Sequence, residues 1–325
     1  MKSKIIAITI GDINGIGIKI LINCWKEKQL DNFILITDLK RIKNYLNKEK
    51  LKDKINLVNI NYKVINFDSN KLNIYSYNSI SAEDNTYKSL KHAHRLCLKK
   101  ICIGIITLPI RKDLIISKID KKFVGHTEYF QKLDRKKYSN MILFHKKIII
   151  SPITTHISIN DISKSISFKN FIFNQVFNLN KTLKIDFNIN DPKILISGLN
   201  PHAGENGKLG NEEKKIIIPE IMKLKNAGIK IDGPSSPDSM LIKKNIKNYD
   251  CFIFIYHDQA LIPFKFISQF SGVNYTGNLE IIRTSPDHGT AYDLKDNKFA
   301  SNKSLLNCFK LIKRIYKNRI LNGKG

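Results

Sequence analysis

Short apolar runs rich in isoleucine alternate with helical stretches along the first hundred residues of the chain. Ile5–Ile10, Phe33–Thr37 and Ile101–Thr107 predict buried strands, and helices are predicted from about Gly15 to Lys28 and over Ala82–Lys100. Strands that alternate with helices favour a mostly parallel sheet covered on both faces. The sequence therefore predicts an α/β fold.

The same alternation continues through the rest of the chain. Met141–Phe144 and Lys147–Ser151 predict two strands that pair with each other, and Asp161 is expected to cap a helix that extends to Phe177. The remaining predicted elements are the strands Lys193–Ser197 and Cys251–Tyr256 and the helices Glu212–Asn226 and Ser304–Leu321.

The length of the chain predicts more than one hydrophobic core. With 325 residues and 42% hydrophobic content, two α/β lobes are the natural organisation. No run approaches the roughly 18 apolar residues that a transmembrane helix needs. The run Ile5–Ile10 imitates a secretory signal but is too short for one, and Asp12 follows it closely. We therefore expect a cytoplasmic protein without a membrane partner.

The five cysteines are odd in number and form no C-x-x-C pair. This pattern argues against a disulfide framework and against a cysteine-built zinc site. Buried, reduced thiols are therefore expected at Cys24, Cys97, Cys102, Cys251 and Cys308.

The formal net charge of +27 is the most conspicuous number in the composition. A nucleic-acid-binding protein usually concentrates its lysines and arginines on one face, whereas here lysine is scattered through every segment together with isoleucine and asparagine. Compositional drift is the favoured interpretation, and nucleic acid is an unlikely partner. A positive field also assists the capture of an anionic substrate.

Three of the eight histidines follow predicted strands or strand-like runs, namely His156, His202 and His257. Ligand sites of parallel α/β sheets form at the carboxyl ends of strands. Three imidazoles at three such ends are one candidate set of ligands for a divalent metal, with a coordination position left open for substrate. The alternative is three separate histidines that cap loops or bind backbone groups.

Two further groups carry side chains that suit an anion. Gly125-His126-Thr127-Glu128 predicts a turn that opens a helix, where free N–H groups attract negative charge. An ordinary helix cap is the alternative for His126 and Thr127. Lys265, Asn274 and Arg283 lie in a loop-rich region and suit a carboxylate or phosphate, but Lys265 and Arg283 are equally compatible with solvated surface positions.

Asp287-His288-Gly289-Thr290-Ala291 forms a compact polar segment that permits close backbone approach to a ligand. The stretch from Gly11 to Gly17 contains glycines but lacks the G-x-G-x-x-G fingerprint, so a standard Rossmann cofactor mode is not expected.

Taken in order, these segments resemble the 4-hydroxythreonine-4-phosphate dehydrogenase family along nearly the whole chain. Any one block is weak, but the full set in the family's order is specific. The matching blocks are Gly11-Asp12 with Gly15-Ile16-Gly17, GHTE at 125–128, TTHI at 154–157, GLNPHAGE at 198–205, YHDQ at 256–259, IRTS at 282–285 and DHGTA at 287–291.

The resemblance implies a set of roles for these residues. His156, His202 and His257 are implied to bind one divalent metal (zinc, magnesium or cobalt). Five residues are implied to contact the phosphorylated substrate, and DHGTA to contact NAD or possibly NADP. The five substrate contacts are His126, Thr127, Lys265, Asn274 and Arg283.

The resemblance also implies an architecture akin to isocitrate and isopropylmalate dehydrogenases, with two α/β lobes, a mostly parallel sheet and a central cleft. Residues 1–125 plus 275–325 are expected to form the nucleotide-side lobe, and 126–274 the metal, substrate and dimerisation lobe. A homodimer is implied, with metal ligands drawn from both subunits at an active site in the interface.

Several positions depart from the family pattern. Ile13 and Lys19 stand where the family usually has Pro and Glu, and Arg111 stands where Asn is usual, although Lys112 is retained. Ala260 and Pro286 replace a usual Gly and Val. The segment from Lys295 to Lys298 lacks the family's Ala-Gly-x-Gly, which affects the expected affinity for the cofactor most directly.

The implied reaction is oxidation of the C3 hydroxyl of 4-phosphooxy-L-threonine by hydride transfer to NAD, in the pyridoxine branch of vitamin B6 synthesis. The catalytic base is open among Asp238, Lys265 and a hydroxide ion at the metal. The alternatives are a related dehydrogenase of phosphothreonate or phosphoerythronate, a hydrolase that uses the same histidines, and a basic nucleic-acid-binding protein.

Overall fold

Strands and helices alternate in the computed structural model, which describes residues 4–61, 64–292 and 301–323. The strands are β1 Ile6–Thr9, β2 Phe33–Ile36, β3 Ile55–Leu57, β4 Ile60–Asn61, β5 Val64–Ile65, β6 Leu72–Tyr75, β7 Gly104–Thr107, β8 Asn140–His145, β9 Ile148–Pro152, β10 Lys193–Ser197, β11 Lys230–Ser235, β12 Cys251–Phe254, β13 Val273–Gly277 and β14 Arg283–Pro286. The α-helices are α1 Ile16–Lys26, α2 Leu39–Lys48, α3 Ala82–Leu98, α4 Lys112–Lys118, α5 His126–Leu133, α6 Ile162–Ile166, α7 Phe171–Ile185, α8 Ile218–Asn226, α9 Lys243–Asn248, α10 His257–Ser268 and α11 Lys303–Leu321.

The chain divides into two compact units. Unit 1 comprises Met1–Asp134 and Glu280–Tyr316, and unit 2 comprises Arg135–Leu279 and Lys317–Gly325. Each unit is therefore discontinuous in sequence, and α11 begins in unit 1 and ends in unit 2.

Unit 1 is built on parallel strands in the order β14-β7-β1-β2-β6-β3. The central strands β1, β2 and β7 are buried at every position, as expected when helices cover both faces of a parallel sheet. The amino-terminal apolar run is thus a buried first strand, as the sequence predicts.

Unit 2 has the strand order β11-β10-β12-β9-β8-β13. The first four of these strands are mutually parallel, whereas β8 runs antiparallel to both β9 and β13. The predicted pairing of the strands near 141–144 and 147–151 is confirmed. A cluster of buried side chains fills the core on one side of these strands, including Met141, Leu143, Ile150, Phe252, Phe254 and Phe264.

The prediction of one helix from Asp161 to Phe177 is wrong. The chain forms the short helix α6, leaves helical geometry before Asn170, and begins α7 at Phe171. Asn170 adopts a left-handed conformation (φ +59°), which asparagine tolerates better than most residues. The side chain of Asp161 makes no capping hydrogen bond.

The end of α11 is anchored in unit 2 by a buried ion pair. Nε of Arg319 donates to Oδ1 of Asp186 at 2.6 Å, and Nη2 donates to the carbonyl oxygen of Leu279 at 3.1 Å. The hydroxyl of Tyr275 donates to the same carboxylate. Such a buried pair is costly unless it is well hydrogen-bonded, and here each partner has several bonds.

The sequence predicts neither a membrane-spanning helix nor a disulfide framework. Within the described residues, no helix combines the length and apolar character of a membrane span. All five cysteines are free thiols, four of them buried, which agrees with the prediction of reduced thiols.

Candidate active site

The three predicted histidines follow three neighbouring parallel strands of unit 2. His156, His257 and His202 come after β9, β12 and β10, respectively, and β12 lies between the other two strands. The carboxyl ends of parallel strands meet at one edge of a sheet. The fold therefore gathers the histidine-bearing loops at this edge.

His156 and His257 lie close together. Their ring centroids are 5.9 Å apart and the ring planes are tilted by 41°. Nδ1 of His257 lies 2.6 Å from Oδ1 of Asp258, an arrangement that fixes the ring and leaves Nε2 available as a metal ligand. The donor type and the spacing of this pair fit two coordination positions of one divalent cation.

His202 belongs to an unusual backbone turn. Residues 202–206 all have positive φ, beginning with His202 at +50° and Ala203 at +53°. Its imidazole is exposed and lies near enough to Asp238 that its charge helps to lower the pKa of that carboxyl. Within the described residues of this single chain, no group of three His, Cys, Asp or Glu side chains is arranged to hold a metal ion.

Asp238, the first candidate base, is exposed on the short 3₁₀ turn Pro237–Ser239. The pKa of its carboxyl is lowered, chiefly because the hydroxyl of Ser236 donates a hydrogen bond to it, and His202 adds to the effect. Asp238 is therefore ionised at neutral pH and able to accept a proton.

Lys265 and Asn274 also lie in unit 2. Lys265 is half-buried on α10, with Nζ 5.7 Å from the ring centroid of Phe270. Asn274 lies on β13, and its Oδ1 is a buried acceptor with no hydrogen-bond partner in the described part of the chain. A buried polar atom of this kind calls for a ligand or a water.

Unit 1 contains a second polar group, centred on Arg283. This arginine is only 2% exposed at the start of β14, and its Nε and Nη2 donate to Oγ1 of Thr107 at 3.1 and 2.6 Å. Burial lowers its pKa to about 10, while the negative charge of Glu128 acts in the opposite direction. A guanidinium group that is so withdrawn from water forms strong hydrogen bonds to an anion.

His126 begins α5 beside this arginine. The preceding Gly125 is extended and offers no side-chain cap, so the helix N-terminus suits an anionic group. Nε2 of His126 is buried and has no hydrogen-bond partner among the residues that the structure describes. Burial, and then the charges of Arg283 and Lys112, lower the pKa of His126 well below its ordinary value, so the ring is neutral. Thr127 follows in the first turn of the helix.

Lys112 is a member of this group to which sequence reasoning assigns no role. It opens α4, and its pKa is lowered because its ammonium group is partly withdrawn from water; the charge of Arg283 adds to the effect and Glu128 opposes it. Its place in the retained Pro-Ile-x-Lys block was the available signal. We call Lys112 and Arg283, together with the neutral His126 beside them, the cation cluster.

The DHGTA segment packs on the turn between β1 and α1. The backbone N–H of Ile16 donates to the carbonyl oxygen of Thr290 at 2.9 Å, and the hydroxyl of Tyr292 donates to Asp12. A Cβ at Gly15 would lie 3.1 Å from that same carbonyl oxygen, so the close approach favours glycine. The altered segment from Lys295 to Lys298 lies outside the described residues.

A cavity of about 340 Å³ adjoins this contact within unit 1. Its lining includes Asp12, Asn14, Arg41, Arg111 and Tyr292. The cavity combines apolar walls with both donors and acceptors, which is the usual composition of a small-molecule site.

Comparison with known proteins identifies the family. Residues 26–312 match the model of the pyridoxal phosphate biosynthetic protein PdxA. The chain belongs to this family. A 4-hydroxythreonine-4-phosphate dehydrogenase of Sulfurihydrogenibium sp. is 36% identical, over 96% of this chain and 99% of its own length. The corresponding enzyme of Bacteroides thetaiotaomicron is 32% identical, over 97% of this chain and 89% of its own.

The fold agrees with this membership of the PdxA family. A crystal structure of 4-hydroxythreonine-4-phosphate dehydrogenase from Klebsiella pneumoniae superposes with a TM-score of 0.82 at 28% identity, covering 97% of this chain and 98% of that one. The resemblance found in the sequence blocks is therefore confirmed, as is the α/β fold with mostly parallel strands.

Proposed function

We propose that the protein is a metal- and NAD-dependent 4-hydroxythreonine-4-phosphate dehydrogenase. It oxidises 4-phosphooxy-L-threonine to 2-amino-3-oxo-4-phosphooxybutanoate, which decarboxylates to 3-amino-2-oxopropyl phosphate on the route to pyridoxal phosphate. The observation that carries the proposal is the cation cluster, because the buried guanidinium group of Arg283 lies beside a helix N-terminus and the unpartnered Nε2 of His126, a combination that suits a phosphate ester. Membership of the PdxA family agrees with it.

The cation cluster and Thr127 bind the substrate phosphate. Arg283 offers a guanidinium group already oriented by Thr107, His126 offers its ring nitrogen, and Lys112 adds a point charge. Lys265 and Asn274 make further substrate contacts. Binding energy from the phosphate, which does not react, orients the reacting carbon.

His156, His202 and His257 hold the divalent metal. When bound, the cation supplies Lewis-acid stabilisation of negative charge on the substrate oxygen. Imidazole donors suit zinc or cobalt better than magnesium. Asp258 keeps His257 in the tautomer that leaves Nε2 available.

Asp238 accepts the hydroxyl proton, with Lys265 as the second candidate. Asp238 is ionised at neutral pH, and the hydrogen bond from Ser236 keeps the pKa of its carboxyl below the ordinary value. A base must carry no proton before the reaction, so the carboxylate is suited to this role at neutral pH.

Asp287, His288, Gly289, Thr290 and Ala291 contact the dinucleotide, which is NAD or NADP. In this proposal, residues 1–125 plus 275–325 serve the nucleotide and also supply Lys112 and Arg283 to the substrate phosphate, and 126–274 serve the metal, the substrate and dimerisation. The working enzyme is a homodimer whose active site takes metal ligands from both subunits.

The test is an absorbance assay for reduced nicotinamide with purified protein, NAD, a divalent metal and 4-phosphooxy-L-threonine. His202→Ala is run beside the unmodified protein, and we expect turnover only with the unmodified protein. Equal turnover by the variant would contradict the metal site. Turnover with phosphothreonate or phosphoerythronate, but none with 4-phosphooxy-L-threonine, would identify a related dehydrogenase. Product release without NAD reduction would indicate a hydrolase, and salt-dependent binding to DNA or RNA without turnover would favour the nucleic-acid interpretation.

A further inference from the structure

We propose that Glu213 is a positioning residue that holds the His202 turn in the conformation needed for metal binding. The proposal rests on the metal site described above and concerns a residue that touches neither metal nor substrate. It follows from the backbone of residues 202–206, which we call the left-handed turn, and from the contacts of one buried carboxylate.

The left-handed turn is costly by itself. His202, Ala203, Glu205 and Asn206 all have φ between +41° and +59°. This conformation is unfavourable for a non-glycine residue, and four such residues within a run of five will relax unless neighbouring contacts oppose it. Interactions outside the turn must therefore stabilise it.

The carboxylate of Glu213 supplies those interactions. Oε1 accepts from the backbone N–H groups of Leu199 and Asn200, both at 2.8 Å, and Oε2 accepts from Nδ2 of Asn200 at 3.0 Å. Glu213 is only 3% exposed. Because charge-assisted hydrogen bonds in a buried site are strong, two of these bonds fix the backbone at Leu199 and Asn200, shortly before His202, and the third fixes the side chain of Asn200.

Two glycines let the carboxylate approach the turn closely. A Cβ at Gly204 would lie 2.6 Å from Oε2 of Glu213, and one at Gly198 would lie 2.9 Å from Oε1. The carboxylate thus packs against both ends of the segment that carries His202. No side chain fits at either glycine while Glu213 keeps this position.

Gln259 connects the same segment to the loop of His257. Its Oε1 accepts from Oγ of Ser197 at 3.1 Å and from the N–H of Ile255 at 2.9 Å, and its Nε2 donates to the carbonyl oxygen of Gly198 at 3.1 Å. The hydrogen bonds of Gln259 therefore connect the His202 and His257 loops just before the left-handed turn. The contacts of Glu213 then fix the backbone conformation with which the chain enters the turn.

The test is metal binding by the full chain without NAD or substrate. Chelator-treated protein is titrated with Co²⁺, and the affinity and the visible absorption spectrum are recorded. We expect Glu213→Gln to bind Co²⁺ on the order of tenfold to a hundredfold more weakly, because residues that orient metal ligands have effects of this size. Glu213→Asp, which keeps the charge, should recover part of the affinity.

Glu220→Gln is the matched control. Glu220 is also a buried glutamate of unit 2 and accepts a backbone hydrogen bond, from Phe173 at 2.9 Å, but it has no part in the left-handed turn. We expect its Co²⁺ affinity and spectrum to equal those of the unmodified protein. In activity assays, excess metal should restore kcat of Glu213→Gln, while KM for the phosphorylated substrate stays unchanged.

A folded Glu213→Gln variant with unchanged Co²⁺ affinity and spectrum would overturn the proposal. If that variant does not fold, Glu213→Asp decides, because its shorter side chain withdraws the carboxylate from the N–H groups of Leu199 and Asn200: weaker Co²⁺ binding than in the unmodified protein supports the role and unchanged binding overturns it. Failure of the unmodified protein to bind Co²⁺ would refute the metal site itself, a result distinct from failure of Glu213 alone.

Discussion

The cation cluster of unit 1 and the histidine loops of unit 2 differ in how far the folded chain buries and orients their side chains. Arg283 is buried and already oriented by Thr107, and the His126 ring is held beside it. His156 and His202, by contrast, are exposed, and among the described residues the one ring contact within this set joins His156 and His257. In unit 1 a strand and a helix N-terminus bring buried polar side chains together, whereas in unit 2 three strand ends bring the histidine loops to one edge without burying the imidazoles of His156 and His202.

The largest expected effect comes from the histidine site. His257→Ala removes one of the two paired imidazoles, and we expect kcat/KM to fall by at least about a thousandfold, since loss of several kcal/mol of charge stabilisation corresponds to that factor. Metal content should fall in parallel, as measured by elemental analysis. His145→Ala, at a half-buried histidine of the same unit that contacts Ser271, is the control. Full metal content in His257→Ala would show that the pair is structural.

The cation cluster is expected to give the next largest effect. Arg283→Met keeps the length of the side chain but removes its charge, and loss of charged hydrogen bonds should raise KM for the phosphorylated substrate about a hundredfold. Steady-state kinetics measure this, with Arg95→Met on the outer face of α3 as control. A fall in kcat with unchanged KM would place the phosphate elsewhere.

A smaller effect is expected from the partner of His257. Asp258→Asn weakens the contact that fixes the imidazole tautomer, so metal affinity should fall about tenfold while the fold is retained. Calorimetric titration with Zn²⁺ measures this, and Asp232→Asn, at an exposed carboxylate of β11, serves as control. Equal affinities in the two variants would mean that Asp258 does not orient the ring.

The smallest effect concerns pH. The pKa of His126 is lowered well below its ordinary value, chiefly by burial, so below about pH 6.5 the unfolded chain takes up a proton that the folded chain does not. Stability is therefore lost as the pH falls, by about 1 kcal/mol near pH 5.5. Urea unfolding of the unmodified protein and of His126→Gln should show a weaker acid loss in the variant. Parallel pH profiles would contradict this contribution.

The sequence correctly predicts the elements in which the pattern of apolar residues matches their burial in the fold. β1 and β2 were predictable because a parallel strand buried on both faces is a continuous apolar run, and α5 because GHTE is a typical helix start. The break at Asn170 was missed because the apolar positions continue through it. Periodicity does not report a single residue that takes a left-handed conformation.

The residue types of the candidate site were predictable from the sequence, but which of those residues lie close together was not. No local sequence pattern encodes the strand order that places β12 between β9 and β10. None encodes the proximity through which the charge of Arg283 lowers the pKa of Lys112 either. The sequence blocks supplied candidates for each role. The positioning carboxylate of Glu213 lies between two such blocks and carries no motif of its own.

The anchoring of α11 bears on how this protein is synthesised. Asp186 is made more than a hundred residues before Arg319, and unit 1 also needs strand β14 from late in the chain. Domains generally form as units while the ribosome proceeds from the amino end. Here unit 1 cannot complete its sheet until β14 has been made, and α11 cannot be anchored to Asp186 until Arg319 has been made, so the nascent polypeptide exposes unpaired strand edges until these late segments emerge.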